Sequence, residues 1–130
     1  MTNCVTEIKE ADVIFVTGSN TTENHPVMGM YIRQAKKAGK KLIVADPVRI
    51  PLAEIADVYL QINPGTSVAL SNGMIHVIFA EGLEDKEYIE KHTEGAAELR
   101  EFVKEYTPER VAEICGIDVE DLKKAARLYA

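Results

Sequence analysis

The chain has 130 residues, 46% of them hydrophobic, enough to bury one respectable core and unlike a disordered or low-complexity segment. Fifteen Lys and Arg against 21 Asp and Glu leave a net charge of −6, and no face collects enough basic residues to neutralise a polyphosphate backbone, which argues against nucleic acid as a partner. No apolar run is long enough for a membrane span, the acid-bearing start Met1–Ala11 does not read as a signal peptide, and Cys4 and Cys115 lie too far apart to encode a metal or iron–sulfur site, so a reducing, cytoplasmic setting is expected.

In chain order, Thr2–Ala11 reads as a short lead-in helix with Val5 and Ile8 on one face. Val13-Ile14-Phe15-Val16 reads as a strand buried on both faces, and the polar turn after Gly18 leads into a helix opened by Pro26. A strand that ends in glycine and hands over to a helix sets unpaired backbone N–H groups at one end of a parallel sheet, where a phosphate can take them up. Val27, Met30, Tyr31, Gln34, Ala35 and Ala38 fall on one helical face, Gly39 stops the helix, and Lys36, Lys37, Lys40 and Lys41 cluster at that end, where compensation of the helix dipole is reason enough for them. Leu42–Ala45 is a second buried strand, ended by Asp46-Pro47. An acid at that strand tip can accept hydrogen bonds from ribose hydroxyls, although it lies farther after Gly18 than the usual spacing of about 20 residues; capping of the turn before Pro47 is an equal alternative. Arg49 follows in the same turn. One helical turn over Pro51–Ile55 carries the chain to a third parallel strand at Val58–Ile62, and the turn Asn63-Pro64-Gly65-Thr66-Ser67, with an N-cap in Thr66 or Ser67, opens a long apolar helix that closes near Gly82. From Leu83 to Ala130 the chain reads as a helical appendage. Tyr88-Ile89, Leu99, Phe102-Val103 and Tyr106 trace apolar faces there, and Thr107-Pro108-Glu109 and Asp118 mark helix starts.

Three strand tips, Gly18–Asn24, Asp46–Arg49 and Asn63–Ser67, are therefore expected on the carboxyl edge of one sheet, where open α/β sheets bind ligands. Gly18-Ser19-Asn20 lacks the full GxGxxG fingerprint and carries little weight alone. His25, before Pro26, either donates to a ligand or shapes the turn; His76, within an apolar run, reads as a satisfied helix-face residue, and His92 as surface.

The run Gly18-Ser19-Asn20-Thr21-Thr22-Glu23-Asn24-His25-Pro26, together with Ala45-Asp46-Pro47, Pro64-Gly65-Thr66, Ala69 to Met74, and Thr93-Glu94-Gly95 through Tyr106-Thr107-Pro108-Glu109, resembles the catalytic α subunit of formate dehydrogenases, in the molybdopterin oxidoreductase family. The resemblance spans essentially the whole chain. It implies an internal segment of a longer polypeptide that binds the guanosine diphosphate arm of molybdopterin guanine dinucleotide. Gly18, Ser19 and Asn20 would approach the phosphates, Glu23, Asn24 and His25 belong to the same cofactor loop, Asp46 matches the acid near the ribose, and Gly65 and Thr66 match the turn at the guanine. Two departures stand out: Ser67 where many relatives carry an Asp able to pair with guanine, and Val48 before Arg49 where relatives often read Asp-Pro-Arg-Arg.

The expected architecture is a three-layer, Rossmann-like parallel α/β sheet with helices on both faces, a single domain over residues 1–130 with the helical appendage from about 83. The parent would oxidise formate to carbon dioxide at molybdenum or tungsten. Its metal ligand and 4Fe–4S cysteines would lie outside this segment, so the segment carries no catalytic or metal-binding residue, and its partners are the rest of the catalytic subunit and electron-transfer subunits. A molybdopterin oxidoreductase acting on another substrate, and a stand-alone nucleotide-binding or interaction module, are the alternatives.

Overall fold

The computed structural model describes residues 4–130, and its architecture is α/β around a parallel three-stranded sheet. The described residues divide into two compact units, with the break between Ile62 and Asn63.

In the first unit a 3-10 turn over Val5–Lys9 stands where the lead-in helix is expected; Thr2 and Asn3 lie outside the described residues. There follow β1 (Val13–Thr17), α1 (Thr21–Asn24), α2 (Pro26–Lys37), β2 (Lys41–Ala45), a 3-10 turn at Ala53–Ile55 and β3 (Val58–Leu60). The strands lie in the order β1-β2-β3, with Thr17 opposite Ala45 in the first pairing and Ala45 opposite Leu60 in the second. As the central strand, β2 buries Leu42 to Ala45 completely, each 0% exposed, as an unbroken apolar run on a two-sided sheet must. β1 departs from its expected burial on both faces: only Val16 is buried, while Val13, Ile14 and Phe15 are half-buried. The core joins Val16, Ile32, Leu42, Val44, Ile50 and Leu52.

α2 is rotated from its expected orientation. Of the expected face only Ala35 is buried, together with Gly29 and Ile32, leaving Val27 60% and Met30 45% exposed. The reason is α1, a helical turn that the sequence reading leaves as loop and that claims the Gly29 side of α2 for itself.

The amino edge of the sheet is held by two acids that each precede a strand. Asp57 takes Leu42 N–H at 2.8 Å and Lys36 Nζ at 2.7 Å on Oδ2, with Lys41 Nζ 3.9 Å from Oδ1, while its own N–H donates to Leu42 O. Asp12 takes Lys40 Nζ at 2.9 Å. Three of the four clustered lysines are thus structural, as expected for that helix end.

The second unit is helical: α3 (Ser67–Glu81), α4 (Lys86–His92), α5 (Ala96–Phe102), a 3-10 turn at Val103–Glu105, α6 (Pro108–Cys115) and α7 (Val119–Tyr129). Caps come from Asp85, Thr107 and Asp118, whose side chains accept first-turn N–H groups. α3 and α6 meet at Gly73, where an added Cβ would stand 2.8 Å from Val111 Cγ1. Tyr88, Leu99 and Phe102 are exposed, so the apolar faces expected along α4 and α5 do not form core; among them only Val103, just after α5, is buried.

Burial raises the Asp57 pKa, but the hydrogen bonds from Lys36 and Leu42 N–H and the charges of Lys36 and Lys41 outweigh it and hold the carboxyl below its ordinary range. A depressed folded-state pKa adds stability that is present above the unfolded value of about 3.9 and is lost as pH falls through the folded one. Asp57→Asn is therefore expected to lower stability at neutral pH by about 1–3 kcal/mol. Urea unfolding of both proteins should show that deficit shrinking below pH 4; a deficit unchanged at pH 2 would mean the charge is irrelevant.

Candidate functional site

The loop leaving β1 is built almost wholly from backbone. Gly18 N–H donates to Ala45 O at 3.1 Å, extending the ladder by one residue, and Gly18 then turns with φ +57°, a left-handed conformation that glycine adopts at least cost. Space is open where a Cβ would be, so a ligand can approach the main chain there. Asn20 O next accepts the N–H groups of Glu23 (3.1 Å) and Asn24 (2.9 Å), which closes the single turn α1. His25 joins the two helices: its N–H donates to Thr21 O, and its carbonyl accepts from Gly29 N.

Gly29 fixes this loop against α2. A Cβ there would lie 3.1 Å from Thr21 O and 3.2 Å from Thr22 Cα, so the two helices touch backbone to backbone. Beneath that contact sit two buried polar atoms without a protein partner, Asn20 Oδ1 and the hydroxyl of Thr21, a residue only 4% exposed. Buried polar groups are nearly always satisfied, so these two are exceptions within the loop. Thr21 is absent from the residues singled out by sequence. Its signal was the spacing Asn20-Thr21-Thr22-Glu23, an Asx residue three before an acid, which announces a helical start. Ser19 is half-buried, while Glu23, Asn24 and His25 are exposed.

The second tip lies beside the first, since β1 and β2 end in register. Asp46 is 8% exposed; its Oδ1 accepts Val48 N–H at 2.8 Å and its carbonyl accepts the Tyr59 hydroxyl at 3.2 Å. The capping alternative is thus realised by one carboxylate oxygen, and among the described residues no donor reaches Oδ2. Arg49 is exposed and lies over the Tyr59 ring at 5.9 Å. Burial raises the Tyr59 pKa, with the negative Asp46 adding to it and Arg49 opposing, so the phenol stays a neutral donor.

In the second unit, Thr66 N–H donates to Asn63 O across Pro64-Gly65, with Gly65 at φ +83°, the pattern of a type II turn. Asn63 anchors it, its N–H donating to Cys115 O at 2.8 Å and its amide to Ile114 O at 3.2 Å. The expected side-chain cap of α3 does not form: the Thr66 hydroxyl donates to Asn63 O at 2.7 Å instead, and Ser67 is exposed. The first N–H groups of α3 are consequently left without a side-chain partner. Cys115 is buried with Sγ 3.7 Å from Thr66 O, and burial pushes its thiol pKa up, which makes it inert. His76 Nδ1 pairs with Val103 O at 2.8 Å, and exposed His92 lies against Tyr88, both in keeping with structural roles.

A sequence model described as molybdopterin oxidoreductase matches residues 1–128. The chain belongs to that family. It is 50% identical over 129 residues to the F420-dependent formate dehydrogenase subunit alpha of Methanocaldococcus jannaschii, covering 99% of this chain and 19% of the relative. It is 44% identical over 131 residues to a nitrate reductase of Symbiobacterium thermophilum, covering 93% of this chain and 17% of the relative. Among solved structures, the acetylene hydratase of Pelobacter acetylenicus superposes with a TM-score of 0.84 at 38% identity, over 94% of this chain and 18% of that one. The chain thus spans about a fifth of the length of the relatives it matches.

Membership implies a molybdopterin cofactor, and the donor set fits an anionic, hydroxyl-rich portion of such a group. Gly18 offers open backbone to an anionic group, and Asp46 offers a free carboxylate oxygen that can accept from a hydroxyl. Among the described residues no three His, Cys, Asp or Glu side chains gather as a metal site.

Two substitutions probe this geometry in the ligand-free chain. Thr21→Val keeps the shape and removes an unsatisfied hydroxyl, so the unfolding free energy in urea should stay level or rise, by up to about 1 kcal/mol. Gly18→Ala meets no atom but must hold the left-handed conformation, and should cost about 1–2 kcal/mol. A destabilised Thr21→Val would show that the hydroxyl has a partner within the chain.

Proposed function

We propose that this chain is the segment of a formate dehydrogenase-like catalytic subunit that binds the guanosine diphosphate arm of molybdopterin guanine dinucleotide. The observation that supports the reading is the β1 loop, where a left-handed Gly18 exposes backbone next to the Asp46 turn, whose carboxylate keeps one oxygen without a donor. In this reading Gly18, Ser19 and Asn20 approach the diphosphate, with Glu23, Asn24 and His25 at the rim of the same loop. Asp46 Oδ2 takes ribose hydroxyls and Arg49 supplies positive charge; Gly65, Thr66 and Ser67 serve the purine through a turn with uncapped N–H groups. Residues 1–130 act as one cofactor-binding piece of a longer chain.

When bound, the cofactor supplies redox chemistry at molybdenum or tungsten, with a 4Fe–4S cluster and electron-transfer subunits belonging to the parent, a cytoplasmic enzyme. This piece binds and orients, and the isolated chain should not oxidise formate. Formate as the parent's substrate is supported by the 50% identity to a formate dehydrogenase subunit. Nitrate reductase and acetylene hydratase relatives keep a second reading open, a parent acting on another substrate, because the same segment accompanies different reactions.

NMR titration with guanosine diphosphate tests the assignment. Binding is expected with a dissociation constant on the order of 0.1–10 mM, since most cofactor contacts are missing and the remainder must offset the entropy of association. Shifts should centre on Gly18–Asn20 and Asp46, with a second group at Gly65–Ser67, and Asp46→Asn should weaken binding. Ser67→Asp should favour guanosine over adenosine diphosphate by about 1–3 kcal/mol by giving guanine's donors a carboxylate. Shifts confined to α4–α7, with Gly18 and Asp46 silent, would overturn the assignment.

A further inference from the structure

The turn that carries Asp46 is held from the end of β3. Asp46 N–H donates to Leu60 O at 3.2 Å, the Tyr59 hydroxyl donates to Asp46 O at 3.2 Å, and Gln61 Nε2 donates to Pro47 O at 3.3 Å. Both carbonyls ahead of Val48 are therefore taken by side chains from 13 and 14 residues further along the chain. Inside the turn, Val48 N–H donates to Asp46 Oδ1 at 2.8 Å.

These bonds are coupled through few torsions. The ring of Pro47 fixes its φ at about −65°, so the orientation of the Asp46–Pro47 peptide largely decides where Val48 N–H lies relative to the Asp46 side chain. The oxygen that Tyr59 holds belongs to that same peptide. Were the peptide to rotate, Val48 N–H would leave Oδ1 and the carboxylate would be free to turn about its own torsions. Gln61 is exposed, so water competes with its amide for Pro47 O. Tyr59 is half-buried and packs against the core of the first unit, where burial keeps the phenol a neutral donor. A ring alone would suffice for that packing; the hydroxyl adds the hold on the turn. The same ring lies beneath the Arg49 guanidinium at 5.9 Å, within the reach of a cation–π contact, so one side chain touches both charged residues of this strand tip.

We propose that Tyr59 is a positioning residue of the candidate site: its hydroxyl holds the Asp46–Pro47 peptide so that Asp46 keeps Oδ1 on Val48 N–H and offers Oδ2 to the ribose hydroxyls of a nucleotide. The ligand in this statement rests on the nucleotide reading above, whereas the clamp rests on hydrogen bonds within the chain. An acceptor ordered before the ligand arrives loses less freedom on binding, and it discriminates for the hydroxyl pair that it faces.

Tyr59→Phe in the 130-residue chain keeps the ring under Arg49 and removes only the hydroxyl. Without ligand, exchange of Val48 N–H with water, followed by NMR, should quicken at least about threefold, with the amides of Leu42–Ala45 unchanged. With ligand, the preference for guanosine diphosphate over dideoxyguanosine diphosphate, which lacks the ribose hydroxyl pair, should fall at least about threefold, while affinity for the dideoxy compound stays the same. Adding Tyr59→Phe to Asp46→Ala should alter neither affinity, because Tyr59 acts through Asp46. Unchanged Val48 exchange, equal loss of both nucleotides, or an undiminished Tyr59→Phe effect on the Asp46→Ala background would overturn the proposal. Quickened Val48 exchange in a chain whose unsubstituted form binds no guanosine diphosphate would instead sink the nucleotide reading and leave the clamp standing.

Discussion

The complete burial of β2 is the constraint on which the first unit depends. Leu42 to Ala45 expose no side-chain surface, so both faces and both edges of that strand must be occupied, and the backbone groups of β1 and β3 are drawn in as parallel neighbours. Parallel pairing then sends every polar connection to one of two edges. At the amino edge Asp12 and Asp57 collect the lysines at the end of α2, while at the carboxyl edge Gly18 and Asp46 are left side by side with unspent hydrogen-bonding capacity. The ion pairs thus lie at the opposite edge from the candidate site.

Gly29 does for the candidate loop what β2 does for the sheet. Because the α1 backbone rests directly on α2, the turn that carries Asn20 and Thr21 has little freedom to collapse onto its own unsatisfied atoms. Two unpaired buried polar groups cost stability, of the order of 1–3 kcal/mol each if nothing satisfies them. With Gly29 turned toward α1, Met30 and Lys37 are left exposed on α2 and Arg33 reaches back to the Thr22 hydroxyl at 3.4 Å.

The second unit follows a different economy. Helices α4 and α5 are short, expose Tyr88, Leu99 and Phe102, and are held by caps and ion pairs such as Arg100 Nη2 to Glu84 Oε1 at 2.7 Å. Its buried core lies with α3, α6 and α7, where Gly73 admits Val111. The Asn63–Ser67 turn is fastened to Ile114 and Cys115 by the Asn63 backbone and amide, so its shape is set by contacts far away in sequence.

Strand positions, the parallel α/β class, the glycine after β1, the Asp46 turn, the Pro64-Gly65 turn and the caps at Thr107 and Asp118 were all legible from residue order, because each depends on backbone chemistry or short-range periodicity. So was membership of the family, carried by several motifs in fixed order. What the tertiary structure decided was which side of each element is covered. The stripe Val27, Met30 and Gln34 looks like a core face by spacing, yet α1 takes the opposite side, and periodicity cannot say which of two partly apolar faces will find a partner. Likewise Thr66 has the residue type of a helix cap but spends its hydroxyl on Asn63 O, and Thr21 has the look of a loop residue but is sealed beneath Gly29. In each case a local preference of about 1 kcal/mol competed with packing that no short window of sequence contains.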